Sequence, residues 1–140
     1  LNVAPTDDKN LSRVTLVVRG SNEAIEQLNS QLSKLIDVVG INDMTQGDHF
    51  ERELLIVKIK INSESQQEIN HLISEFNAVI LDDSIESYTI QLTGKIEEID
   101  EFVSKISTLG TFQAVARSGS VSVSKGKIIL SSYANKNLSN

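Results

Sequence analysis

The chain contains no cysteine. That excludes disulfides, thiolate nucleophiles and cysteine metal sites, and it suits a reducing compartment. Aromatic residues make up 4% of the chain, too few for a base-stacking surface that would grip single-stranded nucleic acid. No run of about 18 apolar residues occurs, so no segment is built to cross a membrane as a helix, and no secretory apolar region is present. The formal net charge is −6 and no Lys/Arg cluster stands out, which disfavours binding through phosphate neutralisation. What is there is an ordinary globular composition. Hydrophobic residues are 39% and charged residues 23% of 140, enough for one domain or two small ones.

Reaction chemistry is equally sparse. No serine sits in G-x-S-x-G or S-x-x-K, and neither a P-loop nor G-x-G-x-x-G is present. His71 lies beside an apolar helical stripe with no further ligand on its face, which fits a helix-surface residue better than a metal ligand. His49 lies in a linker, where a solvated loop residue and an interface residue are equally good readings. The paired carboxylates Asp7-Asp8 and Asp82-Asp83 both fall in expected turns, where Asp serves backbone geometry. The chain offers scaffolding and surfaces.

The most regular stretch is Leu54–Ile61. Leu55, Val57, Ile59 and Ile61 face one way and Ile56, Lys58 and Lys60 the other, the period of a half-buried strand. A charged knot, Glu51-Arg52-Glu53, runs into it. Downstream, Ser65-Gln66-Gln67-Glu68 has the pattern of a capping box, followed by a helix with Ile69, Leu72, Ile73 and Phe76 on its apolar face. Ala78–Leu81 predicts a strand. Ser87–Leu92 predicts another, with Tyr88, Ile90 and Leu92 inward. A helix over about 95–108 carries Ile99, Phe102, Val103 and Ile106 on one face and an i,i+4 pair, Glu101 and Lys105, on the other. Thr111–Val115 closes the unit. The order β-α-β-β-α-β is the split-βαβ, ferredoxin-like arrangement, with two helices on one face of a four-stranded antiparallel sheet.

The first part of the chain predicts only ββαβ. Leu1–Pro5 and Ser12–Val18 form an expected hairpin around the polar cluster Thr6–Asn10. Ser21 caps a helix with a stripe of Ile25, Leu28, Leu32 and Leu35, and Val38–Ile41 is an expected strand. This matches the later unit with its first strand and helix missing. An uncovered helical stripe of a few hundred Å2 costs roughly 5–10 kcal/mol, so another chain or upstream residues are expected to cover it. Leu1 is not an initiator methionine, which fits a processed product or a fragment. The expected organisation is a partial unit over 1–43, a linker over 44–51, a complete unit over 52–130 and a polar tail over 131–140, with a short strand at Ser120–Ser124 and another at Lys127–Leu130.

Several ordered blocks resemble one family. V-A-P-T-D-D (Val3–Asp8), L-S-R-V-T (Leu11–Thr15), Q-L-x-K-L-x-D-V (Gln31–Val38), E-R-E-L-L-I-V-K-I (Glu51–Ile59), Y-T-I-Q-L-x-G (Tyr88–Gly94) and A-R-S-G (Ala116–Gly119) occur in sequence. Together they resemble the small regulatory subunit of acetolactate synthase (acetohydroxyacid synthase) over nearly the whole chain. The resemblance implies an α+β fold of two ferredoxin-like units, an ACT domain and a C-terminal ACT-like domain, the first truncated at its N-terminus. It implies a non-catalytic homodimer that activates a catalytic subunit carrying thiamine diphosphate, Mg2+ and FAD. It also implies feedback inhibition by valine in branched-chain amino-acid biosynthesis. No cofactor, metal, nucleic acid or membrane is expected for this chain.

The family's effector pocket uses a segment expected to precede Leu1. No effector contact is therefore carried over; Leu1, Asn2 and Val3 at best flank the pocket. A chain that lacks that upstream segment is expected to lose the valine sensitivity of the full-length protein and to keep its contact with the catalytic subunit. Candidate partner contacts are Gln46, His49, Glu51, Arg52, Glu53, Arg117 and Ser118, where Arg suits bidentate bonding to carboxylates. The alternative is a free-standing amino-acid-binding ACT module that regulates another enzyme or transcription. Heavy use of Ile, Asn, Ser and Lys suggests an AT-rich genome, and the expected location is a bacterial cytoplasm or, for a plastid-encoded chain, the stroma.

Overall fold

The structure, a computed structural model, describes residues 1–126 apart from the side chain of Gln46. The strand expected at Lys127–Leu130 and the tail Ser131–Asn140 lie outside the described residues. The chain divides into two compact units. One joins Leu1–Thr15 to Glu51–Val121; of the described residues, the other contains Leu16–Phe50 and residues 122–126.

The first unit holds the ferredoxin-like fold. Its sheet runs β4-β5-β3-β6, all pairs antiparallel. The strands are β3 (His49–Lys60, of which Glu51 onward belongs to this unit), β4 (Val79–Asp83), β5 (Ser87–Gly94) and β6 (Thr111–Arg117). Helices α2 (Gln66–Glu75) and α3 (Ile96–Ser107) supply the cover. The period-two pattern of β3 does what it predicts: Leu55, Val57, Ile59 and Ile61 are buried. They pack with Tyr88, Ile90 and Leu92 of β5, Ile69, Leu72 and Ile73 of α2, and Ile99, Phe102 and Ile106 of α3. Phe76 meets Phe102 edge to face, ring centroids 5.4 Å apart. Lys105 lies over the Phe76 ring and pairs with Glu101 at 3.0 Å, as the i,i+4 spacing predicts.

Both flanking strands of this path are bulged. β6 pairs Ala114 with Lys58 but Phe112 with Ile59, leaving Gln113 extra. β4 pairs Ile80 with Ile90 but Asp82 with Thr89, leaving Leu81 extra. Bulges twist a strand and spoil it as a template for further pairing.

Two local expectations are corrected here. Ser65 does not cap α2. Its backbone is already helical, and its hydroxyl bonds Asn62 Oδ1 at 2.8 Å. Asn62 takes over the capping role, because its Oδ1 also accepts the Ser65 amide at 2.8 Å. The carboxylate half of such a box forms instead at α3, where the Lys95 amide donates to Glu98 Oε2 at 3.0 Å. Asp82 and Asp83 are strand residues of β4. The turn follows them, at Ser84, whose amide donates to Ser87 O at 2.9 Å.

The N-terminal hairpin of this unit pairs β1 (Asn2–Pro5) with β2 (Ser12–Thr15). The expected strand Ser12–Val18 stops at Thr15, which pairs with Asn2, the first residue of β1. Asp8 serves backbone geometry as expected: its Oδ1 accepts the Asn10 amide at 2.9 Å.

In the second unit, α1 (Asn22–Ser33) is capped by Ser21, whose Oγ accepts the Ala24 amide at 3.2 Å. Ile25, Leu28 and Leu32 of its stripe are only half-buried, and Leu35 lies past its end, exposed. Val38–Ile41 forms no strand. The chain leaves α1 through a turn closed by the Val38 amide on Leu35 O (3.1 Å). A short apolar run becomes a strand only where a neighbour offers it a ladder. A single 3-10 turn, Met44–Gln46, follows, capped by Asp43. β7 (Val121–Ser124) pairs with β3, whose first residues, His49 and Phe50, belong to this unit.

Phe102 is fully buried at the centre of the helix layer. Phe102→Ala is expected to lower unfolding stability by about 3–5 kcal/mol, read as a fall in the urea midpoint with the slope unchanged.

Candidate functional site

At the Glu53 end of the sheet the core stops and a charged cluster begins. Glu53 continues the inward-facing series of β3 two residues before Leu55, so the pleat turns its carboxylate inward, and it is 5% exposed. Arg117, the last residue of β6, sits opposite Leu55. Its guanidinium forks onto Glu53, with Nε donating to Oε1 at 2.8 Å and an Nη to Oε2 at 3.0 Å. The other Nη donates to Asp100 Oδ1 of α3 at 2.7 Å. The Gly119 amide also donates to the Glu53 carboxylate. Bidentate, charge-assisted bonding is what makes a buried carboxylate tolerable. The Arg117 hydrogen bonds hold the Glu53 carboxyl below the usual carboxylate range, against the opposing effect of burial. The same bonds raise the Arg117 guanidinium.

The next residues extend the cluster. Ser118 brackets β3: its amide donates to Leu54 O at 2.9 Å and its Oγ accepts the Leu54 amide at 2.9 Å. Gly119 has φ +76°, the left-handed region. Ser120 is buried, and its carbonyl accepts from Asn2 Nδ2 at 3.1 Å.

The sequence-predicted contacts thus fall into different environments. Glu53, Arg117 and Ser118 come together, bonded to one another's strands. Arg52 points the opposite way, exposed, with an Nη donating to Glu51 O at 2.6 Å. Glu51 is half-buried. In the second unit, His49 is half-buried with Nδ1 3.0 Å from Gly47 O. The Gln46 side chain lies outside the described residues. Leu1 and Val3 are exposed, while Asn2 is half-buried by its bond to Ser120. Asp100, Gly119 and Ser120 were not singled out by sequence reasoning as site residues. Only the A-R-S-G block pointed near them, and nothing in a single sequence marks Asp100 as the third member.

Elsewhere in this unit, an open cleft of about 480 Å3 lies where α2 ends and α3 begins. Its glutamates are engaged: Glu98 with the Lys95 amide, and Glu75 and Glu101 with Lys105. His71 is exposed on α2. Among the described residues no group of three His, Asp or Glu side chains could hold a metal ion, and no helix is long and apolar enough to cross a membrane.

A depressed carboxyl stabilises the fold above its ordinary range, near the unfolded value of 4.5, and that contribution is lost as pH falls through the lowered folded value. Glu53→Gln is expected to lower stability at neutral pH by about 2 kcal/mol, less than a wholly buried pair because Arg117 is a third exposed. The gap between wild type and variant should narrow on acidification below about pH 4.5, as followed by urea unfolding at a series of pH values.

Comparison with known proteins covers both ends of the described chain. A family described as the small subunit of acetolactate synthase matches residues 52–126, and an AHAS small subunit-like ACT domain matches residues 1–40. The acetolactate synthase small subunit of Haemophilus influenzae is 40% identical over 127 residues, 91% of this chain and 78% of the relative. The isozyme 3 small subunit of Salmonella typhimurium is 38% identical over 130 residues, 93% of this chain and 80% of the relative. The crystal structure of the acetolactate synthase small subunit from Thermotoga maritima superposes with a TM-score of 0.75 at 28% identity, covering 90% of this chain and 78% of that one. On these matches the chain belongs to the acetolactate synthase small-subunit family.

Proposed function

We propose that this chain is a non-catalytic regulatory subunit of acetolactate synthase, acting in the cytoplasm. It binds the catalytic subunit and raises its activity and, in the full-length protein, mediates feedback inhibition by valine in branched-chain amino-acid biosynthesis. The observation that carries the reading is the agreement of both matched regions, 1–40 and 52–126, on small subunits of this one enzyme. The absence of the common nucleophile and phosphate-binding motifs supports it from the sequence side. On this reading thiamine diphosphate, Mg2+ and FAD reside in the catalytic partner, and the small subunit works as a homodimer. The domain assignment that goes with it is a partial ACT region over 1–43, a linker over 44–51 and an ACT-like domain over 52–130.

Regulation of this kind needs an effector that favours one arrangement over another, with coupling typically of about 1–3 kcal/mol. Contact with the catalytic subunit is assigned to Glu51 and Arg52 in the first unit and to Gln46 and His49 in the second. The exposed guanidinium of Arg52 is suited to a carboxylate of the partner. Glu53, Arg117 and Ser118 support that contact by holding the start of β3.

The test is reconstitution. The chain should co-elute with an acetolactate synthase catalytic subunit and raise acetolactate formation, and valine should reduce the stimulated rate given by the full-length protein. Arg52→Ala should cut the stimulation by about five- to ten-fold, the loss of about 1–1.4 kcal/mol of contact. No co-elution and no change in rate would overturn the proposal. Amino-acid binding without either effect would favour a free-standing ACT module instead.

A further inference from the structure

The segment Arg117–Ser120 joins three parts of one unit that are far apart in sequence. Arg117 reaches Asp100 on α3 and Glu53 on β3. Ser118 fastens to both backbone groups of Leu54. Gly119 donates its amide to Glu53 and turns the chain through a left-handed conformation. That turn presents the Ser120 carbonyl to the side-chain amide of Asn2, the first residue of β1. A continuous path of hydrogen bonds and short covalent steps therefore runs from α3 through Glu53 and Gly119 to the N-terminal hairpin.

Two details show that Ser120 is placed by its neighbours and not by its own side chain. Among the described residues its buried Oγ has no hydrogen-bond partner, which is unfavourable and must be offset by what surrounds it. A Cβ at position 119 would lie 3.3 Å from Asn2 Nδ2, tighter than ordinary contact, so the close approach of the two segments uses the missing side chain as well as the positive φ. The hairpin needs such an anchor. A lone two-stranded ribbon is marginal in water, and the outward pair of this one, Val3 and Val14, is exposed. Its other face, with Asn2, Arg13 and Thr15, is the half-buried one.

We propose that Glu53, Arg117 and Gly119 form a clasp that positions the N-terminal hairpin on the C-terminal fold, with Asn2 as its catch. Glu53 and Arg117 are positioning residues in this scheme. The bearing of the clasp on regulation rests on the function proposed above: it would be the route by which a change in the N-terminal strand reaches α3. The link itself does not rest on that reading.

Hydrogen exchange of the full chain, read by mass spectrometry, tests it without any partner or effector. In Asn2→Ala and in Gly119→Ala, amides of residues 2–4 and 12–15 should exchange about ten-fold faster, while those of β5 keep their protection. Glu53→Gln should accelerate the same hairpin amides by more than it accelerates β5. Hairpin protection unchanged in Asn2→Ala, or accelerated only in step with β5 in every variant, would overturn the clasp. Because the chain alone is measured, this outcome is separate from whether it stimulates a synthase. If Glu53→Gln fails to fold, Asn2→Ala decides by itself.

Discussion

A carboxylate buried at the end of an apolar core is a liability that only its partners remove. Glu53 is that carboxylate, and its position follows from the pleat of β3: what puts Leu55, Val57 and Ile59 in the core puts Glu53 beside them. Arg117 and the Gly119 amide then have to meet it, which fixes where β6 ends and how the chain leaves it. Asp100 balances the rest of the guanidinium and ties in α3. Strand, strand, helix and exit turn are thus set by one charge.

The remainder of the fold handles surface with similar economy. Both helices cover one face of the sheet. The other face carries Leu54 and Ile56 beside Lys58 and Lys60, all exposed, and the bulges at Leu81 and Gln113 twist β4 and β6 away from ideal pairing geometry. A regulatory subunit has to offer surface to a partner without adding strands to itself. A mixed face flanked by irregular strands suits that requirement.

Legibility in the sequence followed the range of the interaction. Period two over Leu54–Ile61 and the stripes of α2 and α3 are local, and they identified the core residues correctly. The Ser21 cap and the Glu101–Lys105 pair are local too. Ser65 misled because Asn62, three residues earlier, offers a competing acceptor that the capping-box pattern does not weigh. The strand at Val38–Ile41 failed because strand formation depends on a neighbour that composition cannot reveal. The candidate site was visible only as types: Glu53 was picked from the charged knot before β3 and Arg117 from the Arg-Ser turn, but their mutual bond spans 64 positions. Asp100 and the Asn2–Ser120 bond had no local sign at all.

The entry of β3 and the exit of β6 lie side by side, with Leu55 facing Arg117 and Leu54 bonded to Ser118. Because β3 and β6 are antiparallel, a pull separating the entry of one from the exit of the other would load their ladder rung by rung from this end. Within that ladder, the Ser118–Leu54 bonds and the Glu53–Arg117 fork would bear such a load before the rungs over the core.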